Sequence, residues 1–124
     1  MRVKVSEAEH EVLDWMVAKA KGLLDAGRVV VDFEYLAGQD PIRLNPLPDV
    51  YYTTGYKPST NWAQGGPIIE LECITLRCYT DALWDASIGR LDCVSDGPTP
   101  LIAAMRCYVA INFGDEVDVP DELV

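Results

Sequence analysis

Along the first part of the chain, apolar residues recur at three- and four-residue steps: Leu13, Met16, Ala20 and Leu24 fall on one side of a helical wheel. This spacing predicts a helix from about Glu7 to Lys21 with one buried stripe. Ser6 and Glu9 fit a capping box, in which a serine oxygen and a glutamate carboxylate satisfy free amides at a helix start. Glutamates crowd the first turns, Lys19 and Lys21 close the last, and Gly22 is a natural stop. After Gly27 the period changes to two. In RVVVDFEYL, Val29, Val31, Phe33 and Tyr35 alternate with Asp32 and Glu34, the pattern of a half-buried strand. Residues from about 38 to 60 carry four prolines with Tyr51, Tyr52 and Tyr56 between them. Prolines remove amide donors that a sheet or helix needs, so an irregular surface segment is expected there.

The second half is more regular. ITLRCY, LWDASI and LDCVS are short segments separated by Thr80-Asp81-Ala82 and Gly89-Arg90, which predicts an antiparallel meander. Its core face should carry Ile74, Leu76 and Cys78, then Trp84, Ala86 and Ile88, then Leu91 and Cys93. A last helix follows, with Thr99 as cap, Pro100 at the first helical position and Gly114 as stop. Leu101, Ile102, Met105, Tyr108, Val109 and Phe113 give it a broad apolar face, with Ala103, Arg106 and Ala110 on the other side, and place it at the centre of the core. The acidic residues from about 115 to 124 show no periodicity and are expected to form a mobile tail or a short surface turn. The elements together predict one α+β domain over residues 1–124. A small antiparallel sheet of three to four strands packs against an N-terminal and a C-terminal helix, with a short helix in the middle.

Composition narrows the function. The chain has 124 residues, enough for one ordinary core without metals or disulfides. Twenty acidic residues outnumber ten basic ones for a net charge of −10, and the basic residues are scattered singly. Direct nucleic-acid binding is therefore not expected, since it depends on positive charge set against phosphate. An acidic mimic of DNA stays open as a reading. Glutamates occupy the place where a signal peptide would need an apolar run, and the longest apolar stretch is broken by Arg106, so a soluble protein of the cytoplasm is expected, away from membranes.

Candidate chemistry is sparse. The four cysteines at 73, 78, 93 and 107 form no CxxC pair and fit apolar positions, which favours buried thiols over a metal site. The single histidine, His10, lies between two glutamates with no neighbouring nucleophile. Glu70 and Glu72, two apart, do not face each other on a helix. No catalytic residue, metal site or cofactor is assigned.

The stretch NWAQGGPIIE is the most distinctive. Its Pro67 removes an amide that a phosphate loop would use, and the lysine of such a loop is missing. A packing role is the better expectation: Asn61 or Ser59 starts a turn, Gly65 and Gly66 bend and pack closely, and Pro67 opens a short helix that turns Ile68 and Ile69 inward, with Trp62 capping the core edge. On this reading Gly66→Val costs roughly 1 to 3 kcal/mol.

STNWAQGGPIIE, the tryptophan of LWDASI, GPTPLIAAMRCYVA and LDWMVAKAKG together resemble the NinX-like phage proteins, a domain family of unknown function. The resemblance implies a phage or prophage accessory protein in a bacterial cytoplasm and carries no catalytic residues with it. The leading expectation is thus a non-enzymatic module that binds a host or phage protein. Candidate contacts are Tyr56, Asn61, Trp62, Gln64 and Trp84. The competing reading is a small-molecule binder or enzyme beside Trp62, with Gly65 and Gly66 giving access and Glu70 as the ionisable group.

Overall fold

The computed structural model describes residues 1–22, 24–25, 28–29, 56–89 and 93–123. Of the strand expected over RVVVDFEYL only Arg28 and Val29 are described, and they are extended; its remainder, most of the irregular segment and Leu91 lie outside the described residues. Within them the chain is α+β. Three α-helices, α1 (His10–Ala20), α2 (Trp62–Leu71) and α3 (Pro100–Phe113), accompany short strands β1 (Arg2–Lys4), β2 (Leu24–Asp25) and β3 (Arg28–Val29) and longer ones β4 (Thr75–Thr80), β5 (Leu83–Ile88) and β6 (Cys93–Gly97). A last strand, β7, covers Glu116–Asp118. β4, β5 and β6 form an antiparallel sheet in that order, β1 pairs with β7, and β2 with β3.

α3 is the centre. Every residue from Leu101 to Val109 is buried, so the helix is covered on all sides, by β5 and β6 and by α1 and α2. Its ends follow the expected signals: the Thr99 hydroxyl accepts the Ile102 N–H at 3.1 Å, Pro100 sits in the first turn, and Gly114 closes the helix at φ 86°. Arg106, assigned to the helix's less apolar side, is buried as well. Its Nε donates to the Ala8 carbonyl at 2.8 Å and its Nη1 to the Asp96 carbonyl at 2.9 Å, tying the approach to α1 to β6. Burial lowers the guanidinium pKa, opposed by the charges of Glu9 and Asp96.

Local signals lose to tertiary anchors at both ends of the chain. Ser6 and Glu9 form no capping box; Val5–Glu7 make a 3-10 turn, and α1 starts three residues later than expected, with Glu9 as a cap that makes no side-chain hydrogen bond. Here Val5 and Ala8 are buried and the Val5 N–H donates to the Asp115 carbonyl at 2.8 Å, so long-range contacts set the backbone. The acidic end, expected as a mobile tail or a short surface turn, pairs as a strand at Glu116–Asp118 before a 3-10 turn at Asp121–Leu123. Val117 opposes Val3 in the β1–β7 ladder and is buried, as is Val119.

The meander forms as expected, with Leu76 opposite Ala86 and Ala86 opposite Ser95. Leu76, Trp84, Ala86 and Ile88 face the core. The cysteines differ from expectation: Cys107 is buried, whereas Cys73 and Cys78 are exposed. Cys78 lies on an outer strand near a register shift between Cys78 and Thr80, and its thiol donates to the Thr80 carbonyl at 3.2 Å. Cys73 ends α2 at φ 53°, a left-handed position that favours glycine. None of the helices among the described residues is long and apolar enough to cross a membrane.

Candidate functional site

α2 begins at Trp62, five residues before the expected start at Pro67. The Asn61 carboxamide accepts the Ala63 N–H at 2.9 Å, a side-chain cap that allows the helix to begin ahead of the glycines. Pro67 therefore lies inside the helix on its exposed side, where it offers no N–H to the carbonyl of Ala63, itself an exposed residue. The inward face is Gln64, Gly65 and Ile68.

The need for glycine is confined to one of the pair. A Cβ on Gly65 would stand 2.4 Å from the Pro58 carbonyl oxygen and 2.6 Å from Leu101 Cδ2, whereas a Cβ on Gly66 would meet nothing within 4 Å. The packing role expected of Gly66 belongs to Gly65. Pro58 is itself held: the Lys57 N–H donates to Gln64 Oε1, the Asn61 N–H returns to the Lys57 carbonyl at 2.8 Å, and the Ser59 N–H donates to Asp14 Oδ1 at 2.9 Å.

The expected contact residues separate by burial. Tyr56, Gln64 and Gly65 are buried, Asn61 is occupied with capping, and Glu70 is exposed. Trp84 is half-buried on β5, whose main helix contact is α3. Trp62 does not cap the core edge; it is 54% exposed on the first turn of α2. Burial pushes the Tyr56 phenol well above its ordinary range, and raises Asp14 to about 6 against the opposing pull of the adjoining Ser59 hydroxyl and N–H. His10 stands 68% exposed on the surface while Ser59 is fully buried, so no nucleophile and base are presented together here.

A concave surface lies elsewhere. A groove of about 1110 Å³ runs between the sheet and the paired chain ends. Tyr79, Leu83, Val94 and Ile111 line it, and each is more than 40% exposed. Its far wall is Lys4–Ser6 with Asp115 and Glu116, and Asp96 joins the carboxylates on the sheet side. Asp85 is fixed at its edge: Arg77 donates to both carboxylate oxygens, at 3.3 and 3.0 Å, and the Tyr79 hydroxyl to one of them at 3.0 Å. Arg77 holds this carboxylate below its usual range. Glu116 is paired with Arg2 at 3.2 Å. Asp96 and Asp115 have no ion-pair partner among the described residues.

A signal for this surface is present in the chain. In the meander, Tyr79, Leu83 and Val94 fall in the phase opposite to the core face, so each strand places one large apolar residue where water is expected. Among the described residues no group of three or more His, Cys, Asp or Glu side chains could hold a metal ion. No curated protein matches the chain in sequence. A family model described as bacteriophage P22, NinX matches residues 4–112, from the wall of the groove at Lys4 through nearly all of α3. The chain belongs to the NinX family of phage proteins.

Proposed function

We propose that this phage accessory protein is a non-enzymatic module of the bacterial cytoplasm that binds a host or phage protein in the groove between the sheet and the β1–β7 ribbon. The observation that carries the reading is the cluster of Tyr79, Leu83, Val94 and Ile111, exposed together in one concavity with a carboxylate rim. Exposed apolar residues grouped within a polar rim are the usual mark of a protein interface, and scattered ones are not.

The competing small-molecule reading needs a carboxylate enclosed beside Trp62 and glycine backbone open to a ligand. Glu70 is exposed and Gly65 is covered by Pro58 and Leu101, so the described surface there favours it less. Trp62 stays as a second possible contact, on its exposure alone.

The test compares captured proteins. Wild type, Leu83→Arg and Trp62→Ala are used as baits in lysate of phage-infected cells. Since both positions are exposed, all three should fold alike by circular dichroism. A specific protein held by wild type and Trp62→Ala but lost by Leu83→Arg supports the groove. Loss with Trp62→Ala alone moves the site to α2 and sinks the proposal.

A further inference from the structure

One wall of the groove is backbone. Among the described residues β6 is an edge strand, hydrogen-bonded to β5 on one side. The Asp96 carbonyl accepts Nη1 of Arg106 and so faces away from β5. In an antiparallel ladder residues two apart direct their N–H and C=O groups the same way. The N–H and C=O of Val94, and the N–H of Asp96, therefore face outward too, along the stretch Val94–Asp96 that lines the groove.

An unpaired edge is a template for another strand, and proteins commonly blunt it with proline, lysine or a bulge. The opposite edge of this sheet, β4, carries Arg77 and a register shift between Cys78 and Thr80. β6 reads CVSDG, without proline, lysine or bulge; the buried Arg106 meets it at Asp96 and the Val5–Glu7 turn also contacts it, while its register with β5 is continuous and Val94 is 51% exposed. Resting on the groove as the docking surface, we infer that β6 accepts an added strand from the protein partner: an extended segment that mixes basic and apolar residues. Main-chain hydrogen bonds to the N–H and C=O of Val94 and to the N–H of Asp96, whose carbonyl Arg106 already holds, fix the segment; apolar side chains meet Leu83, Val94 and Ile111, and cations meet Asp96 and Asp115, the carboxylates without an ion pair among the described residues. Arg77 pairs with Asp85 and Arg2 with Glu116, which leaves Asp96 and Asp115 against the one lining lysine, Lys4, so the remaining charge favours a basic segment.

The test is an NMR titration of the full chain, reading backbone amides and side-chain methyls separately. The probes are a short synthetic peptide alternating Lys and Val, its Glu and Val counterpart, and the Lys and Val peptide N-methylated at every second residue. The basic peptide should shift the Val94 and Asp96 amides and slow their hydrogen exchange. N-methylation should weaken binding at least about tenfold, because the backbone bonds are lost, and the acidic peptide should not bind. Methyl shifts at Leu83, Val94 and Ile111 with unmoved amides would leave the groove reading standing and overturn strand addition. With neither set moving, both ideas fail. Amide shifts that depend on protein concentration alone would assign β6 to a second copy of the chain and overturn the partner inferred here. Val94→Pro gives an independent check, since an outward N–H is dispensable to the ladder. This variant should fold and lose peptide affinity to the extent that N-methylation does; undiminished affinity, or failure to fold, overturns the inference.

Discussion

Gly65→Ala and Gly66→Ala put one methyl on adjacent residues of the same helix, and the structure assigns them opposite signs. In a helix interior alanine is favoured over glycine by about 1 kcal/mol, so each substitution begins with that gain. At Gly66 nothing opposes it, because the added Cβ meets nothing within 4 Å. At Gly65 the Cβ lies 2.4 Å from the Pro58 carbonyl oxygen and 2.6 Å from Leu101 Cδ2. Leu101 can turn aside, but Pro58 is backbone, held by the flanking bonds of Lys57 and of Ser59 to Asp14. Overpacking of this kind costs about 1–3 kcal/mol and can exceed that where the backbone must move. The net expectation is a loss of roughly 1–2 kcal/mol for Gly65→Ala and a gain of roughly 0.5–1 kcal/mol for Gly66→Ala. An unfolding entropy of about 2.1 cal/mol/K per residue converts each kcal/mol into roughly 4 °C for a domain of this size. Thermal and urea unfolding, followed by far-ultraviolet circular dichroism, read both variants against wild type. If Gly65→Ala melts at or above the wild-type temperature, or Gly66→Ala melts below it, the assignment of the close contact is wrong.

Three more expectations concern the core and its ends. Asp14 has its pKa raised from 3.8 to about 6 by burial, so its contribution to stability is fully present below pH 4 and is lost as pH rises through 6. That loss is of order 3 kcal/mol; Asp14→Asn should remove it, and urea midpoints for the two proteins that stay parallel from pH 4 to 7 would contradict the shift. Cys73→Gly should stabilise by about 1 kcal/mol in thermal melts, since Cys73 holds the left-handed position of a helix end in which the Ile74 N–H reaches back to the Ile69 carbonyl at 3.0 Å. Arg106→Met should cost roughly 2–4 kcal/mol by stranding the Ala8 and Asp96 carbonyls, and this loss should change little with salt because both acceptors are uncharged backbone; a strongly salt-dependent loss would point to ion pairing instead.

What the chain made legible follows from which forces are local. Thr99, Pro100 and Gly114 act within one helical turn of their own positions, and α3 starts and stops where they say. The meander is legible for a related reason: Asp81-Ala82 and Gly89 mark turns between segments whose period-two pattern agrees with their neighbours. Ser6 and Glu9 show the limit, because their capping box competes with burial of Val5 and Ala8 and with Arg106, nearly a hundred residues away. Gly-Gly-Pro departs from its local signal in the other direction. Taken as a turn, it lies within α2, because the cap at Asn61 and the fit of Gly65 under Pro58 outweigh three poor helix formers. The acidic end hid a strand: Val117 and Val119 alternate with Glu116 and Asp118, but the charges of that stretch masked a period of two. The groove was missed because its walls come from Lys4, the meander and Glu116, which only folding brings together.

On the proposed reading, the acidic balance and the groove would have separate parts in recognition. Charge at a rim acts over several ångströms and mainly sets the rate of encounter, whereas a desolvated apolar floor sets how long a complex lasts. Asp96→Asn together with Asp115→Asn should therefore slow association and flatten its salt dependence with little change in dissociation. Leu83→Ala should do the reverse, speeding dissociation while association holds. The chain's net charge of −10 alone does not account for such a division, because a diffuse field would be almost unchanged by two carboxylates out of twenty acidic residues. Stopped-flow traces with the basic peptide separate the two cases. A rate of encounter that follows Asp96 and Asp115 places the relevant charge at the groove, and one indifferent to them leaves the acidic surface as a property of solubility.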